Sequence, residues 1–281
     1  MAPRKPPTAA YYTPRDIELV RSACLTLASH LGSFLDDLVV VGGLVPTLLI
    51  RPKDTREPHV GTKDLDLGLS LALLEESRYV ELVAHLQSAN FEPDMNNAGK
   101  PANHRWKHRT DHVTVDFLIA PAPADVPTSD AKVKVITDNL SAVLASGLPL
   151  AFRDRKKVTL SGKTLRGEEM TRDLWVCGAG SFLVLKALAF RGRGENKDAY
   201  DLFYVLENFG EDYVTDVAAA LRPLLDSDPA QQAIAILKAD FSSSKHAGPA
   251  RAAEFLSRSD DEEYRADRAG AVLELLRALD L

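Results

Sequence analysis

Asp64 and Asp66 sit two residues apart in the run GTKDLDL (residues 61 to 67), with a leucine after each. Alternate residues of a β-strand share a face, so both carboxylates point one way while Leu65 and Leu67 point the other. Two adjacent negative charges repel and resist burial, so a cation is required between them, either a basic side chain or a metal ion. A third acid, Asp116, lies in HVTVDFLIA (112 to 120), where Val113, Val115, Phe117 and Ile119 form one face and Asp116 stands on the other. Asp111 competes for the third place, at a position where a turn is expected. Three converging acids form an oxygen ligand set of the kind that holds two Mg²⁺ ions, with Mn²⁺ as the alternative, across the attacking and leaving oxygens of a displacement at phosphorus. Gly42-Gly43, between the apolar LVVV (38 to 41) and a helix start, either forms a tight turn or turns backbone N–H groups toward an oligophosphate.

The elements that must position these residues are legible from caps and periodicity. Thr13-Pro14-Arg15-Asp16 opens a helix with a cap, a first-turn proline and a first-turn acid. Ile17, Val20, Cys24, Leu27 and Leu31 recur at helical spacing up to Gly32, and LVVV follows as a buried strand. A short helix from Leu44, the strand carrying the paired acids, a helix over 74 to 89 and strands around 112 to 120 complete an α/β half. From residue 172 the pattern becomes helical, with helices expected over 181–191, 197–208, 212–225, 229–241, 249–257 and 260–279. The segments LPLAF, RDRKKV and a hairpin TLSGKTLRG join the halves. The expected organisation is a flexible tail over 1–12, an α/β domain with a mixed sheet over 13–165 and an all-helical domain over 166–281, an α/β (α+β) class overall.

Composition narrows the partners. Thirty-four Lys and Arg against 40 Asp and Glu give the 281-residue chain a net charge of −6, so no global basic field favours nucleic acid. RNA contact would be local, at KPANHRWKHR (Lys100, Arg105, Trp106, Lys107, Arg109) or RDRKK (Arg155, Lys156, Lys157). Two isolated cysteines, Cys24 and Cys177, match no disulfide framework and are expected to be buried. The longest apolar run, LVVVGGLVPTLLI, is too short and too interrupted to span a membrane, and a cytoplasmic protein is expected.

The order of a Gly-Gly turn, Asp-Leu-Asp and a later strand acid resembles the nucleotidyltransferase superfamily of the DNA polymerase β type, whose hallmark is a small-residue turn followed by two acids flanking a hydrophobic residue. Further on, FLVLKALAFRGRGENKDAYDLFYVL (182 to 206) sets Lys186 inside an apolar helix, followed by Arg191, Lys197, Asp198, Tyr200, Asp201 and Leu202. Lys186 would either snorkel to the surface or face an anion, and Lys197 and Asp201 are spaced for an i,i+4 pair. This stretch is similar to the lysine, arginine and Lys-Asp-x-Tyr-Asp-Leu signature of the AbiEii and MenT group, the toxin halves of bacterial toxin–antitoxin and abortive-infection systems. The resemblance covers residues 38 to 206.

The resemblance implies a nucleotidyltransferase fold in the N-terminal half and transfer of a nucleoside monophosphate from an NTP to an acceptor. It points to the 3′ end of tRNA as acceptor and to an antitoxin as partner. Asp64, Asp66 and Asp116 would hold metal. Gly42, Gly43, Thr62 and Lys63 would meet the nucleotide, while Lys186 and Arg191 neutralise the departing pyrophosphate. Asp198 and Asp201 would orient these bases or the nucleotide. Lys186→Ala is then expected to lower turnover with the fold intact. Apart from the resemblance, Thr62 shares the face of Asp64, so it is either a strand threonine with no regulatory role or a site where a phosphate would switch off the metal acids. The competing readings are a transferase acting on a small molecule such as an aminoglycoside, and a catalytically silent protein that works through a partner.

Overall fold

The computed structural model describes residues 5–50, 57–70, 76–96, 98–121 and 133–281. It is a mixed α/β structure of two compact units, one of Pro14–Leu48 and Gly61–Cys177 and the other of Met1–Thr13, Leu49–Val60 and Gly178–Leu281.

The first unit is built on a sheet of nine strands among the described residues: β1 (Leu38–Val41), β2 (Asp64–Leu69), β3 (Phe91–Met95), β4 (Pro101–His108), β5 (Thr114–Ile119), β6 (Val133–Thr137), β7 (Leu140–Leu144), β8 (Lys156–Lys163) and β9 (Glu169–Val176). The order is β3-β4-β5-β2-β1-β9-β8, with β7 also pairing β5 and β6. β2 runs antiparallel to β1 and parallel to β5. Helices α1 (Pro14–His30), α2 (Val45–Leu49), α3 (Glu76–Ser88) and α4 (Leu148–Arg153) complete the connections. α1 turns Val20, Ala23, Cys24 and Leu27 inward. All of β1 is buried, as expected of a strand paired on both sides. Leu65 and Leu67 of β2 and Val115 and Phe117 of β5 supply the apolar side of the strands that carry the acids.

The second unit holds α5 (Ala179–Arg193), α6 (Asn196–Asn208), α7 (Val214–Leu221), α8 (Asp228–Ile236), α9 (Ala247–Phe255) and α10 (Glu262–Ala278), near the six helices expected. Every residue of α6 from Asn196 to Leu206 is buried, although its sequence is amphipathic. A helix enclosed on all sides must pair its charged face internally.

Two sequence expectations change. The unit boundary falls after Cys177 rather than after residue 165, because β9 joins β1 through Val40↔Val176 and the Cys177 N–H donates to the Val40 carbonyl at 3.0 Å. The tail expected over 1–12 is packed over residues 5–12: the Asn196 amide donates to the Pro7 carbonyl at 3.0 Å and the Tyr12 ring lies 5.7 Å from Phe255. Most of the basic stretch expected as an RNA patch lies in strand β4, Pro101–His108. Both cysteines are buried as expected, and burial pushes the Cys24 thiol up to about 12, which leaves it unreactive. No helix among the described residues is long and apolar enough to cross a membrane.

Candidate metal centre and a buried ionic cluster

Strand register assembles the acids. Asp66 pairs with Val41 of β1 on one side and with Asp116 of β5 on the other, and Asp116 in turn pairs with Arg105 of β4. Residues directly opposite on neighbouring strands share a face, so Arg105, Asp116 and Asp66 form a row across the sheet, and Asp64 joins it two residues along β2. Carboxylate oxygens of Asp64, Asp66 and Asp116 lie within 4.8 Å of one another and could hold a metal ion. An all-oxygen set of this kind suits Mg²⁺ or Mn²⁺.

One cation beside the acids is Arg105. Its Nε donates to Asp116 Oδ1 at 2.6 Å and its Nη2 to Asp116 Oδ2 at 2.5 Å, with Asp64 Oδ2 at 3.9 Å from Nη2. The Asp116 hydrogen bonds raise the guanidinium pKa further above its usual value, against burial and with help from the Asp116, Asp64 and Asp66 charges. Arg105 was expected to meet RNA, and it instead closes the acidic row.

Gly42 lies at the end of β1 beside this row. Its φ is +72°, and a Cβ there would fall 1.8 Å from Asp66 Oδ2. Glycine is therefore required twice, for the left-handed backbone and for the approach of the turn to the carboxylate. Gly42→Ala is expected to cost about 1 to 3 kcal/mol and to displace Asp66. A lower melting temperature together with weakened Mn²⁺ binding would show both effects, and a protein unchanged in both would remove Gly42 from the site.

Other expected site residues land differently. Thr62 is 1% exposed, and its hydroxyl donates to Asp64 Oδ1 at 2.7 Å, so it steadies a carboxylate and is not presented to a kinase. Lys63 is half-exposed and pairs with Asp16 at 3.6 Å. Asp111 meets His108 Nδ1 at 2.9 Å in the turn before β5 and does not join the triad. Trp106 is fully buried and cannot stack on a base. Lys107 pairs with Asp94 and Arg109 with Glu92, at 3.0 and 2.9 Å, so this patch loses much of its positive field, and Lys100 stays exposed. At the second patch the Arg155 guanidinium lies 4.2 Å from the Trp175 ring centre and Lys157 Nζ 5.0 Å, while Lys156 is exposed.

In the helical unit, α5 and α6 bring Lys186, Lys197, Asp198 and Asp201 together. Lys186 Nζ lies 3.1 Å from Asp198 Oδ1 and 2.6 Å from Asp201 Oδ2. Lys197 meets Asp201 Oδ1 at 2.5 Å, and both are wholly buried, so this i,i+4 pair is a core feature rather than surface support. The anion that Lys186 faces is thus a pair of carboxylates, and a pyrophosphate would have to compete with them. Arg191 turns away to Asp240 at 2.7 Å, and Arg193 takes its place, donating to both oxygens of Asp198 at 2.6 and 2.7 Å.

His59 completes the cluster, 2.8 Å from Asp201 Oδ1 and stacked at 5.2 Å on Tyr200. The Val60 N–H donates to the Tyr200 hydroxyl at 3.2 Å, which ties the segment to α6. Nothing in RPKDTREPHVG marked His59; only the fold brings it 142 positions along the chain to Asp201. Burial alone would push the Asp198 and Asp201 carboxyls up, but Lys186, with Arg193 at Asp198 and Lys197 at Asp201, holds both well below the usual range. Burial lowers Lys197 to about 8, against the pull of Asp201. Burial, with the Lys197 charge, lowers His59 to about 4.

A histidine whose folded pKa is depressed is protonated more readily in the unfolded chain. Its stability contribution is complete above pH 6.5 and is lost as pH falls from there through about 4. The loss is up to about 3 kcal/mol. His59→Gln, which keeps a donor for Asp201, is expected to flatten the fall in melting temperature between pH 6.5 and 4. An unchanged slope would assign that fall to other groups.

The sequence matches no family model and no curated protein. The chemistry of the row on β2, β5 and β4 therefore carries the functional reading.

Proposed function

We propose that the chain is a divalent-metal-dependent nucleotidyltransferase that moves a nucleoside monophosphate from an NTP to a hydroxyl acceptor, with the 3′ end of tRNA as the leading acceptor. The observation that supports it most is the meeting of Asp64, Asp66 and Asp116 on one face, beside a glycine turn with no room for a side chain. The order of these motifs also fits the superfamily resemblance, on which the tRNA acceptor and a role as the toxin of a toxin–antitoxin pair rest.

In this reading Asp64 and Asp66 hold metal from β2, with Thr62 fixing one Asp64 oxygen and Asp116 closing the set from β5. Mg²⁺ bound there would neutralise charge on the phosphates and favour the alkoxide of the acceptor. The acceptor oxygen bonds to the α-phosphorus, the bond to the pyrophosphate oxygen breaks, and the hydroxyl proton is lost to solvent. Gly42 lets the turn close against Asp66 where the triphosphate would approach. The Lys186 cluster contributes a rigid helical unit.

Incubation of the protein with Mg²⁺, total bacterial tRNA and each α-labelled NTP in turn is the direct test. Label in tRNA with one or two nucleotides supports the reading. A small-molecule acceptor is favoured by one feature, the burial of Trp106 and the pairing of Arg105, Lys107 and Arg109 with acids, which leaves little cationic surface on β4 for RNA. Label in an aminoglycoside and none in tRNA would select it. No label in either acceptor, from folded protein, would move the reading to a partner-binding role.

A further inference from the structure

Arg105 is 15% exposed at its side chain, and both of its hydrogen-bonding arms rest on Asp116, with Asp64 within reach of the same Nη2. Arg105 thus bridges two members of the acidic row, and a cation entering the row meets it there. A divalent ion among the same oxygens would lie within a few ångströms of the guanidinium, where like charges repel strongly. The fork on Asp116 engages both carboxylate oxygens, one per nitrogen, so either oxygen offered to a metal would be shared with Arg105.

We infer that Arg105 is the resident counter-ion of the acidic row and competes with the divalent cation, so that metal binding and the Arg105–Asp116 pair are antagonistic. This rests on the reading of the triad as a metal site. Arg105 thereby sets the affinity of the centre: it keeps the carboxylates together without metal and weakens the hold on metal when metal enters. It is a positioning residue acting through Asp116. Its place on β4 is set by the Arg105↔Asp116 register.

The test is titration of the protein with Mn²⁺, following free Mn²⁺ by electron paramagnetic resonance, alongside melting curves with and without Mn²⁺. Arg105→Gln is expected to bind Mn²⁺ at least about tenfold more tightly than wild type, since the repelling charge is gone. Without metal it should melt lower than wild type, because Asp116 loses its ion pair, and it should gain more on adding Mn²⁺. A merely structural arginine would give the lower melting point without the tighter binding.

Arg105→Lys keeps the charge but loses the two-armed grip, so it should fall between the two proteins. It decides the matter where the Gln variant does not fold, and no gain over wild type would then overturn the inference. If wild type binds Mn²⁺ and Arg105→Gln binds it equally or less well, the antagonism is wrong and the metal centre stands. If neither binds, and Asp66→Asn behaves the same, both the inference and the metal reading fall.

Discussion

Asp66→Asn is expected to cut nucleotidyl transfer by at least about a thousandfold, because it removes a preorganised charge on which the transition state depends. The backbone at this position is held on both sides, by Val41 of β1 and Asp116 of β5, so an isosteric amide does not alter the strand. What changes is charge. Asp66 shares a few ångströms with two other carboxylates, and taking one negative charge out of that group relieves repulsion. The melting temperature of the metal-free variant should therefore equal or exceed that of wild type, the usual opposition between stability and activity at a charged site. Labelling assays and melting curves on the same preparation check both halves. Transfer near the wild-type rate would remove Asp66 from the centre, and a loss of activity accompanied by a large drop in melting temperature would mean that the fold had been damaged.

Lys186→Ala is expected to destabilise the protein by about 3 to 5 kcal/mol, since it leaves buried carboxylates without their partner. This departs from the sequence expectation of lost turnover in an intact fold. Lys186 is buried at 4% exposure and bridges Asp198 and Asp201, neither of which reaches solvent. Removing it leaves Asp198 to Arg193 and Asp201 to Lys197 and His59, with one oxygen of Asp201 stripped of its ion pair. That cost is a large part of the stability of an ordinary domain. Arg191→Ala supplies the contrast, because its pair with Asp240 is half-exposed and its loss should shift stability by less than about 0.5 kcal/mol. Chemical denaturation of the two variants separates the cases. A Lys186→Ala protein as stable as wild type would show that the cluster does not hold the helices, and would return Lys186 to the role of a substrate ligand.

The two predictions share a logic. Each concerns carboxylates that must be neutralised, but the acids on β2 and β5 meet a partly accessible arginine. Those on α6 are enclosed and matched by lysines. A partly accessible row of acids on interior strands can admit a cation, whereas a matched, buried set resists change.

Local pattern was enough for the elements that carry the acids. The alternation in GTKDLDL and HVTVDFLIA placed Asp64, Asp66 and Asp116 on the faces opposite their apolar neighbours, because side-chain direction in a strand follows from parity alone. Caps and 3.6-residue spacing located α1 and the C-terminal helices for the same reason. A flat composition of cations and one tryptophan in residues 100 to 109 could not distinguish a nucleic-acid patch from a strand. Charge is legible in sequence, but its partner is not: Arg105 meets Asp116 through the β4–β5 register, and Lys107 and Arg109 meet Asp94 and Glu92 across the β3–β4 pair. The helical run at 182 to 206 likewise showed which residues were ionisable, yet only packing on every side of α6 turned Lys197 and Asp201 from a surface pair into a core one and drew His59 in beside them. Periodicity is a property of neighbours along the chain. Burial and ion pairing depend on distance in space, and these were settled where strands and helices far apart in the chain came to lie side by side.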